Sequence, residues 1–315
     1  MIGKLDSREE GGQSGVSGDP FALGGWSILA LEGPDALTFA QSQLMNDLAR
    51  LGDGQWQWSG WLNPKGRVIT LCLALRRDAQ TLWLLLPDMP ASELAAALQR
   101  YVFRSKLRLQ DAMDWRVAGQ FVEGARPADA GTGVPIDDAL VLQFGSAGDD
   151  GSRRRLLLLP ATTTPAPDPD TEARWLACDL QAGLPHLDAG QRSQHTPQML
   201  ALDRLHAYSV KKGCYPGQEI VSRTHYLGKA KRRLCRLALP QGIEGRAGDI
   251  VADGEGRPLS TLLNVAITAN GAEALAILDE DSVAFLDGQA ARRLPLLDRL
   301  SRQGNLEPGS PSTPA

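Results

Sequence analysis

The chain has 315 residues, more than the roughly 250–300 at which a single hydrophobic core stops growing, so two or three domains are expected. It is 43% hydrophobic and 22% charged with a net charge of −4, which is ordinary for a globular chain and gives no global reason to expect a nucleic-acid or membrane partner. The first twenty residues carry no apolar core of signal-peptide type. Runs such as VITLCLALRR and TLWLLLP fall well short of the roughly 20 residues a spanning helix needs, and a cytoplasmic protein is expected.

Residues 1–20 and the tail GNLEPGSPSTPA (304–315) are rich in Gly, Ser and Pro and read as disordered. WSILALEG reads as a strand, and Pro34 opens a helix expected to run to Leu48, with Leu37, Ala40, Leu44 and Leu48 on one face. GQWQWSGWL alternates like a half-buried strand with Trp56 and Trp58 together. The turn NPKGR (63–67) leads into VITLCLALR and TLWLLLP, a hairpin, and PASELAAALQRYVF has helical spacing. WRVAGQFV, ALVLQF and RRLLLLP read as three further strands, and TEARWLACDLQAG as a helix stopped by Gly183 and Pro185. AYSV (207–210) is strand-like and GQEIVSRTHYLG helix-like, whereas short strands with glycine-rich turns from about residue 233 suggest a small β-barrel or sandwich. The expected fold class is α+β with antiparallel sheets, organised as a 21–232 region, a 233–295 β-domain and a 296–315 segment with a disordered tail.

Phosphate-loop, HExxH, GxSxG and strand-linked GxGxxG motifs are absent. The four histidines, His186, His195, His206 and His225, show no metal-ligand spacing, and Cys72, Cys178, Cys214 and Cys235 form no CxxC pair. Four free thiols and no permanent metal are therefore expected, with Cys72 and Cys178 as core fillers.

Charge singles out one segment. Residues 204–236 hold Arg204, Lys211, Lys212, Arg223, Lys229, Lys231, Arg232, Arg233 and Arg236 against a single acid, Glu219, a local charge of +8. This is either a solvated strand face with a loop, or a site for an anionic ligand such as a carboxylate-bearing cofactor or RNA phosphate. Within it, Cys214 lies a few residues before a helix and beside Lys211 and Lys212, where neighbouring cations and a helix N-terminus would favour a thiolate. Glu219 and Arg223 stand at i, i+4 and can equally be a surface helix pair.

KGCYPGQEIVSR (212–223) resembles the signature of the YgfZ-type folate-binding proteins, K-G-C-Y-x-G-Q-E with a basic residue four positions after the Glu. Lys212, Gly213, Cys214, Tyr215, Gly217, Gln218, Glu219 and Arg223 all match, and eight fixed positions in twelve make the match specific. LEGPDALTFAQSQLMNDL (31–48) and LNPKGRVI (62–69) are similar to segments shared by this family and the glycine-cleavage T-protein, an aminomethyltransferase; QAGLPHLD and TPQMLALDRL resemble the approach to the signature. The resemblance implies a T-protein-like, multi-domain ring of antiparallel sheets flanked by helices, with a small C-terminal β-barrel. It implies a tetrahydrofolate site, with Gln43, Asp47 and Lys65 as further polar contacts. It also implies an accessory role, rather than conventional enzyme activity, in iron–sulfur cluster assembly or repair. The partners would be iron–sulfur enzymes, including tRNA-thiolating ones, or assembly factors, and Cys214 the reactive or transiently iron-ligating group. The alternative is a folate-dependent aminomethyltransferase. Direct tRNA binding is permitted by the local charge but supported by no RNA-recognition motif.

Overall fold

A computed structural model of the chain describes residues 18–123, 139–148, 152–228 and 230–308. The first half comprises β1 (Phe21–Ala22), β2 (Ser27–Glu32), α1 (Ala36–Gln43), β3 (Gln55–Leu62), β4 (Val68–Arg76), β5 (Thr81–Leu86), α2 (Ala91–Gln99), β6 (Arg108–Asp111) and β7 (Trp115–Val122). Next come β8 (Leu140–Ser146), β9 (Arg153–Pro160), α3 (Pro169–Ala182) and α4 (Gln218–Leu227). The remaining strands are β10 (Arg232–Ala238), β11 (Ile250–Ala252), β12 (Pro258–Thr268), β13 (Gly271–Asp279), β14 (Ala284–Leu286), β15 (Gln289–Leu294) and β16 (Gln303–Pro308). Among the described residues no helix is long and apolar enough to cross a membrane.

Ten strands form one sheet in the order β1-β7-β9-β8-β16-β3-β4-β5-β2-β6. The apolar runs of β4 and β5 are continuous rather than alternating because both faces of that half are covered. Trp56, Trp58, Leu71 and Leu73 point into one core with Phe144 and Trp175, while Trp61, Cys72 and Ala74 point into another with α1 and α2. β3 is therefore buried on both faces over most of its length, not half-buried as its alternation suggests.

Further expectations fail for identifiable reasons. The helix opened by Pro34 stops at Gln43, because Leu44 turns extended and Met45 donates its N–H to the Gly60 carbonyl at 2.9 Å. The tail from residue 304 is not wholly disordered: Gln303–Asn305 pair with β3 and Leu306–Pro308 with β8. β16 thereby joins the two halves of the sheet through backbone bonds, which a Gly-Asn-Pro composition does not advertise. Gly304 is required there, since a Cβ would lie 2.8 Å from Trp56 Nε1. At the other end Gly18 donates to the Phe121 carbonyl, so ordered structure begins before residue 21. Residues 1–17 and 309–315 of the two expected disordered ends lie outside the described residues.

The strands from Arg232 to Leu294 form a closed barrel, β10-β13-β12-β11-β14-β15, around its own core of Leu237, Val251, Leu262 and Leu278. Its short strands separated by glycine turns are what the sequence pattern predicts. AYSV (207–210), by contrast, forms no strand; it belongs to the irregular connection between α3 and α4.

Candidate functional site around Cys214

The turn before α4 is built from buried anchors around an exposed tip. Gly213 and Cys214 are exposed, whereas Lys212 and Tyr215 on either side are only 7% and 6% accessible. The Lys212 ammonium donates to the backbone carbonyls of Gln41 and Leu44, each at 2.5 Å, and of Asn46 at 3.0 Å. These groups lie at and just beyond the C-terminal end of α1, where orphan carbonyls favour a cation. Lys212 also stands 4.9 Å from the Tyr215 ring centroid. Burial draws its pKa down to about 8, against the opposing pull of Asp47. Tyr215 donates its hydroxyl to the Ser209 carbonyl, Gln218 Nε2 donates to the Lys212 carbonyl, and Ser209 N–H reaches the Met45 carbonyl.

Two glycines fasten the turn 63–67 against the start of α4. Gly217 caps the helix in the left-handed region, φ 78°, and a Cβ there would lie 2.6 Å from the Asn63 carbonyl and 2.7 Å from Gly66 Cα. Gly66, φ 67°, would push a Cβ to 2.8 Å from Ile220 Cβ. Both positions thus need glycine for conformation and for close approach. Asn63 holds the turn, its Oδ1 accepting from the N–H groups of Lys65 and Arg67. From below, Gln198 Nε2 donates to the Val221 carbonyl.

The N-terminal candidates divide. The α1 terminus and the 63–67 turn both meet the cysteine motif. Gln43 Oε1 is buried without a hydrogen-bond partner among the described residues, while Asp47 Oδ1 accepts from Gln41 Nε2 and the Ala49 N–H. The side chains of Lys65, Glu219 and Arg223 make no hydrogen bond or ion pair among the described residues, so the possible Glu219–Arg223 surface pair is not formed. Sequence reasoning missed Gln41, Asn46 and Gln198, which support the motif through backbone groups.

The concentration of positive charge is largely structural. Arg204 donates to the carbonyls of Ala182 and Leu297, Arg232 to those of Leu259 and Ile277, Arg233 pairs with Asp203, and Arg236 pairs bidentately with buried Glu273. With Lys212 clamped as well, the cations of the segment without a partner among the described residues are Lys211, Arg223 and Lys231; Lys229 lies outside the described residues. The other three thiols are buried, and burial pushes Cys72 up to about 12 and raises Cys178 and Cys235. Cys214 alone among the four is presented to solvent.

A second polar cluster was not visible in the sequence. Fully buried Arg154 pairs with fully buried Asp179 at 2.6 Å, Asp179 Oδ2 meets His186 Nε2 at 3.2 Å, and His186 Nδ1 meets Asp88 Oδ1 at 2.5 Å. Arg154 also lies over the Trp175 and Phe144 rings. Burial alone would keep His186 neutral, but the two carboxylates outweigh it and lift its pKa to about 10. His186 exchanges backbone–side-chain bonds with Asn264 of β12, so the chain ties sheet, α3 and barrel together beside a cavity of about 620 Å³. Among the described residues no group of three or more His, Cys, Asp or Glu is placed to hold a metal ion.

Known proteins share this fold. The structure superposes on the glycine cleavage system aminomethyltransferase T from Bartonella henselae with a TM-score of 0.67, covering 90% of this chain and 87% of that one at 19% identity. The fold is therefore the T-protein fold. No family model matches the chain. The tRNA-modifying protein YgfZ of Klebsiella pneumoniae is 30% identical over 238 residues, 69% of this chain and 70% of the relative. That of Sodalis glossinidius is 30% identical over 252 residues, 72% and 74%. A protein of Haemophilus influenzae described as uncharacterized is 29% identical over 210 residues. At this identity and coverage, and with the motif seated in the T-protein fold, the chain belongs to the YgfZ family.

Proposed function

We propose that the protein is a tetrahydrofolate-binding accessory factor of the tRNA-modifying kind, supporting iron–sulfur enzymes through the thiol of Cys214. The observation that carries this reading is the exposed cysteine on two buried anchors, where the α1 terminus and the 63–67 turn converge from distant sequence. An exposed thiol reaches an iron–sulfur cluster or a partner's sulfur, which a buried one does not. The residue types around the motif fit a reduced folate: Gln43 Oε1, buried without a partner among the described residues, would accept from a pterin donor, the Glu219 carboxylate would take another, and Lys65, Lys211 and Arg223, likewise unpaired among the described residues, would suit the glutamate tail. Folate when bound would supply one-carbon or redox chemistry, while Cys214 presents the thiol.

Replacing Cys214 by Ser is expected to leave the fold intact and abolish support of iron–sulfur enzyme activity in cells; full complementation would overturn the reading. Calorimetric titration with tetrahydrofolate or its folinic derivative is expected to show binding, and a flat titration removes the cofactor. A second reading, a folate-dependent aminomethyltransferase, is favoured by the T-protein fold alone. Robust transfer of the one-carbon unit of an aminomethyl donor to tetrahydrofolate, with release of its nitrogen as ammonia, would establish it in place of the first.

A further inference from the structure

The cation of the motif most readily taken as a ligand contact does something else. We propose that Lys212 is a positioning residue: it locks the KGCY turn onto the end of α1 and so fixes the exposed Cys214 thiol in place, rather than binding an anionic ligand. The inference rests on the reading of Cys214 as the reactive group.

The donor count is the first argument. An ammonium has three hydrogens, and three backbone carbonyls, those of Gln41, Leu44 and Asn46, converge on Lys212 Nζ within 3.0 Å. No donor remains for a carboxylate or phosphate, and the side chain is almost wholly buried. An anion contact would need the opposite, a free and accessible charge, which describes exposed Lys211 instead.

Connectivity is the second. The turn is fastened to the same stretch of chain by a separate route, through Tyr215 to Ser209 and from Ser209 to Met45. Gln218 holds the Lys212 carbonyl from the α4 side. Between these fixed points only Gly213 and Cys214 project, and a Cβ built on Gly213 meets nothing within 4 Å. The thiol therefore stands on a rigid base with open space beside it. Arginine cannot replace lysine here, because a planar guanidinium spreads its donors over several nitrogens instead of directing three from one point.

The test separates position from charge. In wild-type protein carrying ¹⁵N-lysine, the Lys212 ammonium is expected to give a persistent ¹H–¹⁵N signal near neutral pH while that of Lys211 is lost to exchange with water. Equally fast loss of both overturns the clamp without any variant. In Lys212→Met and Lys212→Arg, amide hydrogens at 42–48 are expected to exchange about tenfold faster, as local opening becomes easier. The rate of Cys214 alkylation against pH is expected to change in both variants alike, with Lys211→Met leaving amide exchange at wild-type values. If instead Lys212→Arg behaves as wild type, and Lys212→Met and Lys211→Met shift alkylation together with unchanged amide exchange, charge and not position is the role. These readouts do not depend on cellular function, so failure of the clamp is distinguishable from failure of Cys214→Ser to show a phenotype.

Discussion

Lys212 and Arg154 are both buried cations, but they are compensated differently. Three backbone carbonyls surround Lys212, each carrying a partial charge, and the side chain ends one turn of structure. Arg154 faces a full carboxylate, Asp179, which continues through His186 to Asp88 and joins sheet, helix and barrel. The first arrangement fixes one short turn and leaves its neighbour, Cys214, in solvent. The second is fully buried at Arg154 and Asp179, reaches a cavity at the partly exposed His186 and Asp88, and holds large pieces of the molecule together. For these two cations, then, burial of charge serves local placement at the candidate site in one case and assembly across elements away from it in the other.

Breaking the assembly side is expected to have the largest effect. Asp179→Ala strands the Arg154 guanidinium without a counter-charge and removes one partner of His186. Loss of one member of a buried pair costs about 3–5 kcal/mol. Urea denaturation is expected to show a fall of that size, while the native-state alkylation rate of Cys214 stays at the wild-type value. A change in alkylation as large as the change in stability would mean the two regions are not separate. Gly217→Ala attacks the placement side. The left-handed conformation costs an alanine about 1–2 kcal/mol, and the clash with Asn63 and Gly66 adds to it. Here a loss of about 2–4 kcal/mol is expected together with altered Cys214 reactivity, and an unperturbed turn would show that the close packing is not needed.

These two substitutions also mark what the sequence discloses. The cysteine motif is legible because its parts occupy twelve consecutive residues and the α4 periodicity follows at once. The barrel is legible because short strands and glycine turns repeat. The role of Lys212 is hidden, since its partners are carbonyls that every residue possesses. The Arg154 chain is hidden because Asp88, Arg154, Asp179 and His186 become neighbours only after folding. β16 is hidden for the same reason as Lys212: it joins two half-sheets by backbone pairing, and its Gly, Asn and Pro read as a tail. The local charge of +8 misleads because counting charges does not reveal that Arg204, Arg232, Arg233 and Arg236 already have partners within the fold.

A smaller and more selective effect is expected from pH, and the two cations should give opposite slopes. His186 has a folded pKa of about 10, above its ordinary 6.5. The folded state therefore holds the proton more tightly, and the stabilisation is complete below about pH 6.5 and lost as pH rises through about 10. Lys212 has a folded pKa of about 8, below its ordinary 10.5, so between those values the unfolded chain holds the proton and stability rises with pH. Urea midpoints compared between wild type and His186→Gln are expected to converge as pH rises to about 10, with a difference at neutral pH of about 2 kcal/mol, the scale of a charge-assisted hydrogen bond. A difference that widens with pH would reverse the assignment of His186 as the protonated link.

The smallest effect on stability is expected at Gly213, and it is the sharpest probe of the exposed tip. Unlike Gly217, it has no left-handed backbone and no atom within 4 Å of a Cβ built upon it. Gly213→Ala should therefore leave the unfolding midpoint within about 0.5 kcal/mol of wild type, as for a surface change that touches nothing. The fold gives no reason for glycine there, although the family signature contains one. If Gly213→Ala nevertheless lowers support of iron–sulfur enzymes in cells, the added methyl group must be meeting whatever approaches Cys214, and the open space beside the thiol is part of the site. If both stability and cellular support stay at wild-type values, close approach on that side is unnecessary, and whatever meets the thiol comes past Lys211 or the α4 face instead.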